Sequence, residues 1–250
     1  MAAPGSWSPP RHRPSGARAR DARRPLLAHV IAAACAAFSA GAGADCSAAE
    51  PVVLLTAFGP FDGRGVNGSA TVAHRLEGEV VAGARISILV LPVRWGEPER
   101  RLPEAVLRLH PVLLLGVGEG LPGATVYVER EGANQARPYR DADGALPPSA
   151  VLDAAAPAVL PVRLRCDLAW FAPAACPVAD SRDAGGYLCN ELLFTALRQP
   201  VAACGFVHLP PQGAAAAAGY ADAYAPIVRT LIARNLATAA GDRTLAPSSP

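Results

Sequence analysis

The sequence predicts an α/β fold: a single domain built on a twisted, parallel-rich mixed sheet with helices on both faces. Three observations carry that expectation. Short apolar, β-branched runs alternate with helical stretches over residues 52–118, the pattern of parallel strands joined by crossover helices. Half of the 250 residues are apolar, enough to fill one core. No internal repeat suggests a solenoid, and no segment past the first 44 residues is a membrane-span candidate.

The elements follow in order. Val52–Thr56 reads as a buried strand. It runs into a Gly/Pro-rich loop, Ala57–Ser69, which carries Phe58 and Phe61. Two aromatics there can plug the end of the sheet or line a small apolar pocket. Open α/β folds bind ligands at the carboxyl ends of their strands. Asn67 or Ser69 can cap the helix that continues through His74 and Leu76. Ile86–Val93 is a second strand, Glu97–His110 a helix stopped by Pro111, and Val112–Gly118 a third strand. Gly116-x-Gly118-x-Gly120 resembles a dinucleotide turn, but Leu121-Pro122-Gly123 follows it where a helix should start.

Thr125–Arg130 is a further strand with Glu129 at its end, and residues 135–160 form a long loop. Val162–Phe171 is expected as a short helix and Pro177–Asp180 as a short strand. Asp183–Asn190 then passes two glycines into Cys189, and Leu188, Leu192, Leu193, Ala196 and Leu197 repeat at helical spacing. Cys189 therefore falls in the first turn of a helix, where unpaired N–H groups and the helix dipole favour a thiolate. A buried structural cysteine is the alternative. Ala203–Pro211 is a strand with His208 near its end. Tyr220–Leu236 is a closing helix, and residues 237–250 are a polar tail.

The charge balance excludes some partners. All 23 basic residues are Arg, and six of them lie in the first 44 residues against one Asp. The rest holds 17 basic against 20 acidic residues, a mildly acidic body without the basic stripe that nucleic acid requires. Residues 1–44 read as a signal peptide. A basic region precedes the apolar run Leu26–Phe38 and the small-residue site Ala42-Gly43-Ala44, while Arg23-Arg24 suggests a twin-arginine type. The mature chain would be periplasmic or secreted, with no membrane anchor. A cytoplasmic protein with an N-terminal extension is the alternative. Cleavage would leave Cys46, Cys166, Cys176, Cys189 and Cys204. Five is odd, so at least one thiol stays free, and Cys166 and Cys176 could pair. There is no C-x-x-C spacing, and only three His lie beyond the leader. No metal site is therefore expected.

Three groups lie at strand ends or a helix start: Glu129, Cys189 and His208. His74 sits within a helix and His110 at a helix end, so His208 is the informative histidine. Cys with His is a nucleophile and base, and a carboxylate can orient the imidazole. A core histidine bonded to a carbonyl remains the alternative.

Four segments in the same order resemble the pyroglutamyl peptidase I (pyrrolidone-carboxylate peptidase) family of cysteine peptidases. They are Phe58-Gly59-Pro60-Phe61 with Asn67 and Ser69; Glu129-Arg130 with Asn134; Ser181–Asn190; and Phe206–Pro211. The resemblance spans residues 52–236 and marks 45–236 as the catalytic domain. It implies hydrolysis of the amide after an N-terminal pyroglutamyl residue of peptides. Cys189 would be nucleophile, His208 base and acid, and Glu129 orienter, with no cofactor. Phe58, Phe61, Asn67 and Leu188 would form the substrate site. The sequence departs from the family pattern at Ala57, Ala70, Glu119 and Gly123. The altered turn motivates a second reading, a binding protein for pyroglutamyl or other lactam ligands on the same scaffold. A third is an amidase of changed specificity. A homo-oligomer is left open.

Overall fold

The first strand, β1 (Val52–Phe58), is apolar on both faces because both are covered, and every residue after Val52 is buried. The structure, a computed structural model, describes residues 50–213 and 219–244. The leader expected at 1–44, Cys46 and the alanine run 214–218 lie outside the described residues. After β1 come α1 (Gly68–Leu76), β2 (Val80–Val81), β3 (Ala84–Leu91), α2 (Glu97–Leu109) and β4 (Leu113–Glu119). The second half adds β5 (Val126–Glu129), β6 (Glu131–Ala133), β7 (Val159–Pro161), β8 (Val178–Ser181), α3 (Leu188–Leu197), β9 (Ala203–Leu209) and α4 (Tyr220–Thr244).

Seven strands form one sheet in the order β2-β3-β1-β4-β9-β5-β8, and β6 and β7 form a small hairpin of their own. β3, β1, β4 and β9 are mutually parallel, while β5 runs antiparallel to β9 and parallel to β8. The expected parallel-rich mixed sheet is therefore present. The chain leaves β1 towards β3 and returns to the opposite side of β1 for β4, so the winding reverses between β1 and β4. A crevice opens at the carboxyl ends of the strands where winding reverses.

Strand alternation divides the core in two. Val53, Leu55 and Ala57 of β1, with Leu113, Leu115 and Val117 of β4, pack with Val72 and Leu76 of α1 and Val228 and Leu231 of α4. Leu54, Phe58 and Leu114 point the other way, against Leu102 and Val106 of α2 and Leu188, Leu192 and Leu193 of α3. Helices thus cover both faces, as expected.

Several boundaries differ from expectation. Phe58 belongs to β1 rather than to the following loop. β3 begins two residues early and ends at Leu91, because Pro92 has no N–H to continue a ladder. The helix expected over Val162–Phe171 is a single 3-10 turn, Leu168–Phe171. Before it the backbone stays extended, since Val162 N–H bonds Arg130 O and Arg163 N–H bonds Cys204 O. α4 runs to Thr244 instead of stopping at Leu236. The alanines at 237, 239 and 240 carry the best helix propensity of any residue.

Asn67 does cap α1: its Oδ1 accepts from Ser69 N–H at 3.1 Å. Its Nδ2 also donates to Gly59 O at 3.0 Å, closing the loop between β1 and α1. Asn67→Ala should cost about 1 kcal/mol or more for the lost cap. Chemical denaturation checks this through a lower unfolding midpoint at unchanged slope.

Candidate active site

Glu129, Cys189 and His208 converge at the carboxyl end of the sheet, and the register explains why. His208 pairs with Gly118 of β4 on one side and with Tyr127 of β5 on the other. In β5, Val126 and Val128 face the α1/α4 layer, so Glu129 faces the α3 layer, as His208 does. Their side chains meet there: His208 Nδ1–H donates to Glu129 Oε1 at 2.7 Å. Glu129 is 1% exposed, and its Oε2 has no hydrogen-bond partner. The histidine is therefore the group that compensates a buried carboxylate, which rules out Glu129 as a surface charge on an edge strand.

With Nδ1 committed to Glu129, the Cys189 side chain is the other group that acts on the imidazole. Burial opposes a charge on His208 and is the largest influence. The charge and hydrogen bond of Cys189 and those of Glu129 outweigh it, and the imidazole pKa is raised to about 10. His208 is then protonated at neutral pH, beside the sulfur. The edge of Phe206 supports the ring, with centroids 4.9 Å apart.

The other described cysteines behave differently. Cys166, Cys176, Cys189 and Cys204 are all free, so the Cys166–Cys176 pairing left open by the sequence is not made. Burial raises the thiol pKa of Cys166 and Cys176, and pushes that of Cys204 up to about 12. These three are protonated, structural thiols. Cys189 is half-buried and, unlike the other three, interacts with a histidine.

α3 is built to present that sulfur. Gly185 turns the chain with φ +77, a value few residues other than glycine adopt. Tyr187 caps the helix without a side-chain hydrogen bond to its first N–H groups. Asn190, fully buried, holds the first turn in place. Its Oδ1 accepts from Ala133 N–H at 2.9 Å, and its Nδ2 donates to Ala133 O and Gln135 O at 2.8 and 2.9 Å. Sequence reasoning passed over Asn190; a polar residue at a buried position of an apolar helix was the available signal.

The glycine series of β4 has a steric cause. Gly116, Gly118 and Gly120 face α3 and the site. A Cβ on Gly116 would lie 2.3 Å from Phe206 Cδ2. One on Gly118 would lie 2.6 Å from Cys189 Sγ and 2.8 Å from Phe206 Cζ. The absent side chains make the space that the Cys189 sulfur occupies.

A cavity of about 40 Å³ adjoins Cys189, lined by Phe58, Phe61, Asn67, Leu188, Val93, Glu119 and Tyr187. The four residues expected from sequence are all in it, while Val93, Glu119 and Tyr187 were not foreseen. Larger hollows, of about 400 Å³ over Leu168–Val178 and about 440 Å³ between Pro103 and Val201, do not pair a nucleophile with a base. No group of His, Cys, Asp and Glu suited to a metal ion occurs among the described residues, and no described helix is long and apolar enough to cross a membrane.

Since Cys189 supplies the leading influences that raise the His208 pKa, Cys189→Ser should move the imidazole titration well below 10. NMR titration of the ring carbons checks this. Gly118→Ala should displace the thiol and slow its alkylation by iodoacetamide while leaving the protein folded.

Comparison with known proteins identifies the family. Residues 52–235 match the family model for pyroglutamyl peptidase. The pyrrolidone-carboxylate peptidase of Chromobacterium violaceum is 33% identical over 164 residues, 63% of this chain and 77% of the relative. That of Escherichia fergusonii is 29% identical over 205 residues, covering 75% and 92%. The same architecture occurs in pyroglutamyl peptidase I from Bacillus amyloliquefaciens, with TM-score 0.68, 24% identity and coverage of 75% and 95%. It also occurs in pyrrolidone carboxyl peptidase from Thermococcus litoralis, with TM-score 0.66, 22% identity and coverage of 77% and 96%. The match across nearly all of the sheet and its helices means that the chain belongs to the pyroglutamyl peptidase family of cysteine peptidases.

Proposed function

We propose that the protein is a cysteine peptidase that removes the N-terminal pyroglutamyl residue from peptides, with Cys189, His208 and Glu129 as its catalytic residues. The observation that carries this reading is the Cys189–His208–Glu129 hydrogen-bonded series beside a small, mostly apolar cavity. Family membership supports it, since relatives bear the name pyrrolidone-carboxylate peptidase.

The chemistry follows from the protonation state. Cys189 Sγ, as thiolate, attacks the carbonyl carbon that joins pyroglutamate to the next residue. The oxyanion formed faces the uncapped N–H groups at the start of α3, where the helix dipole favours negative charge. His208, already an imidazolium, gives its ring proton to the leaving amine as the C–N bond breaks. That leaves a thioacyl enzyme and a neutral imidazole. The imidazole takes a proton from water as the water oxygen attacks the thioester. Collapse releases pyroglutamate and returns the proton and the thiolate to their starting places. Glu129 fixes the tautomer and steadies the imidazolium throughout.

The cavity suits the substrate. A pyroglutamyl ring is flat and uncharged, and Phe58 and Phe61 offer it apolar walls. Such a pocket rejects an N-terminal glutamate, whose charged amine and carboxylate would be desolvated without partners.

The leader supports a further proposal: that the protein is exported to the periplasm or beyond, unlike a cytosolic peptidase. Subcellular fractionation tests it, and finding the full-length chain in the cytosol would defeat it.

Purified protein lacking residues 1–44 should release dye from a pyroglutamyl-arylamide. Cys189→Ser should lower kcat/KM on the order of a thousandfold or more, and Glu129→Gln on the order of a hundredfold or more. With the His208 pKa raised, the acid form persists through neutral pH and is lost as pH rises past about 10. The alkaline limb of kcat/KM should fall there. Wild-type protein that is folded and reduced yet inert would overturn the reading.

A further inference from the structure

We propose that Glu119 is a positioning residue for the recognition loop, residues 59–67, with Arg64 as its partner on that loop. The inference rests on reading the Phe58–Phe61 cavity as the ring-binding site.

Glu119 ends β4. Strand alternation sends the space of Gly118 towards Cys189 and therefore the side chain of Glu119 to the opposite face. It does not act on the sulfur. Three segments converge on its carboxylate instead. Oε1 accepts from Gly68 N–H at 2.7 Å, where the loop enters α1. The same oxygen accepts from Gln212 N–H at 2.9 Å, four residues beyond His208. Oε2 makes no hydrogen bond but is ion-paired with Arg64 at 2.6 Å, a contact of charges rather than a directed bond. The Arg64 guanidinium in turn lies over the Phe61 ring, 5.1 Å from its centroid. Gln212 is tied to α1 as well, because Thr71 Oγ1 donates to its side-chain oxygen at 2.7 Å.

One carboxylate thus holds the middle of the loop, its end and the chain leaving the catalytic histidine. The burial of the pair decides whether that matters. An exposed ion pair contributes little and is screened by salt. Here the Glu119 side chain is 6% exposed and Arg64 31%, so the anion end is sheltered. Removing the arginine leaves a buried carboxylate with two N–H donors and no counter-charge, a costly arrangement. The carboxylate also sits at the N-terminus of α1, where negative charge is favoured. Phe61 lies on an irregular loop, partly buried against the α3 side of the core and tilted against Tyr187 at 6.4 Å between centroids, with Arg64 over its ring. Holding Arg64 therefore holds one wall of the cavity.

Glu119→Gln is the informative substitution, because the amide oxygen still accepts from both N–H groups while the charge on Arg64 loses its partner. Steady-state kinetics with a pyroglutamyl-arylamide, competition by 2-pyrrolidinone and hydrogen exchange over residues 59–67 read the effect. Glu119→Gln and Arg64→Gln should each raise KM, and the inhibition constant of 2-pyrrolidinone, by roughly five- to thirtyfold, with kcat falling less than about threefold. The double variant should be no worse than either single one, as for two residues acting through a single interaction. Arg64→Lys should recover part of the loss, and exchange in residues 59–67 should accelerate in both single variants. Unchanged KM with only a lower melting temperature would overturn the proposal, and so would additive effects in the double variant. Should Glu119→Gln fail to fold, the loop variant Arg64→Gln decides alone by the same criteria. If the wild type proves inert, the catalytic reading fails by itself. Protection of residues 59–67 by 2-pyrrolidinone, present in wild type and weakened in the variants, still supports the positioning role, and equal protection in all overturns it.

Discussion

The buried pair Glu129–His208 is the constraint from which the rest of the site follows. A carboxylate sealed from water is tolerable only beside a counter-charge, and here that charge is an imidazolium at 2.7 Å. Burial opposes the charge on the imidazole, and the influences of Cys189 and Glu129 together outweigh it. The three groups thus hold one another in the state the proposed chemistry uses. The imidazole and the carboxylate are already in contact without substrate, so that pair needs little reorganisation when charge develops beside it.

That arrangement makes demands on the scaffold. Cys189 must reach His208 across the end of β4, and β4 yields space by carrying glycines on that face. α3 must not rotate, and Asn190 locks its first turn to the chain around Ala133. The recognition loop must lie against the sulfur without crowding it, and Asn67 and Glu119 hold its two ends. Each of these residues is polar or small in otherwise apolar surroundings. Their positions cost packing area and supply geometry.

Much of this was legible in the sequence, for definable reasons. The strand–helix alternation has long, strongly periodic elements, and it gave the parallel-rich sheet correctly. Cys189, His208 and Glu129 stood out because each ends a strand or starts a helix, where side chains of open sheets meet. What escaped was set by tertiary contact. The glycine series of β4 looked like a phosphate turn because its partners, Phe206 and Cys189, are 90 and 71 positions away. Asn190 is marked only as a polar residue in an apolar helix and Glu119 only as a departure in a glycine turn, and their contacts exist only once β4, α1 and α3 are side by side. The 3-10 turn at Leu168–Phe171 replaced a longer helix because backbone partners on β9 and at Arg130 kept the preceding residues extended. At the other end, α4 runs past its expected stop through residues rich in alanine, which favours helix.

The antiparallel insertion of β5 between β9 and β8 has a consequence for folding. Glu129 and His208 are 79 positions apart, and their strands can pair only after the intervening loop, hairpin and α3 have been gathered in. Closing so long a loop is entropically slow, and contacts of this range form late. A chain that has docked its parallel half but not β5 already has a sheet and a thiol, yet its histidine lacks the buried carboxylate. Such an intermediate would pass most tests of secondary structure and still be inert. A quality-control protease that removed such incomplete chains would be selecting, in effect, for the assembled Glu129–His208 pair.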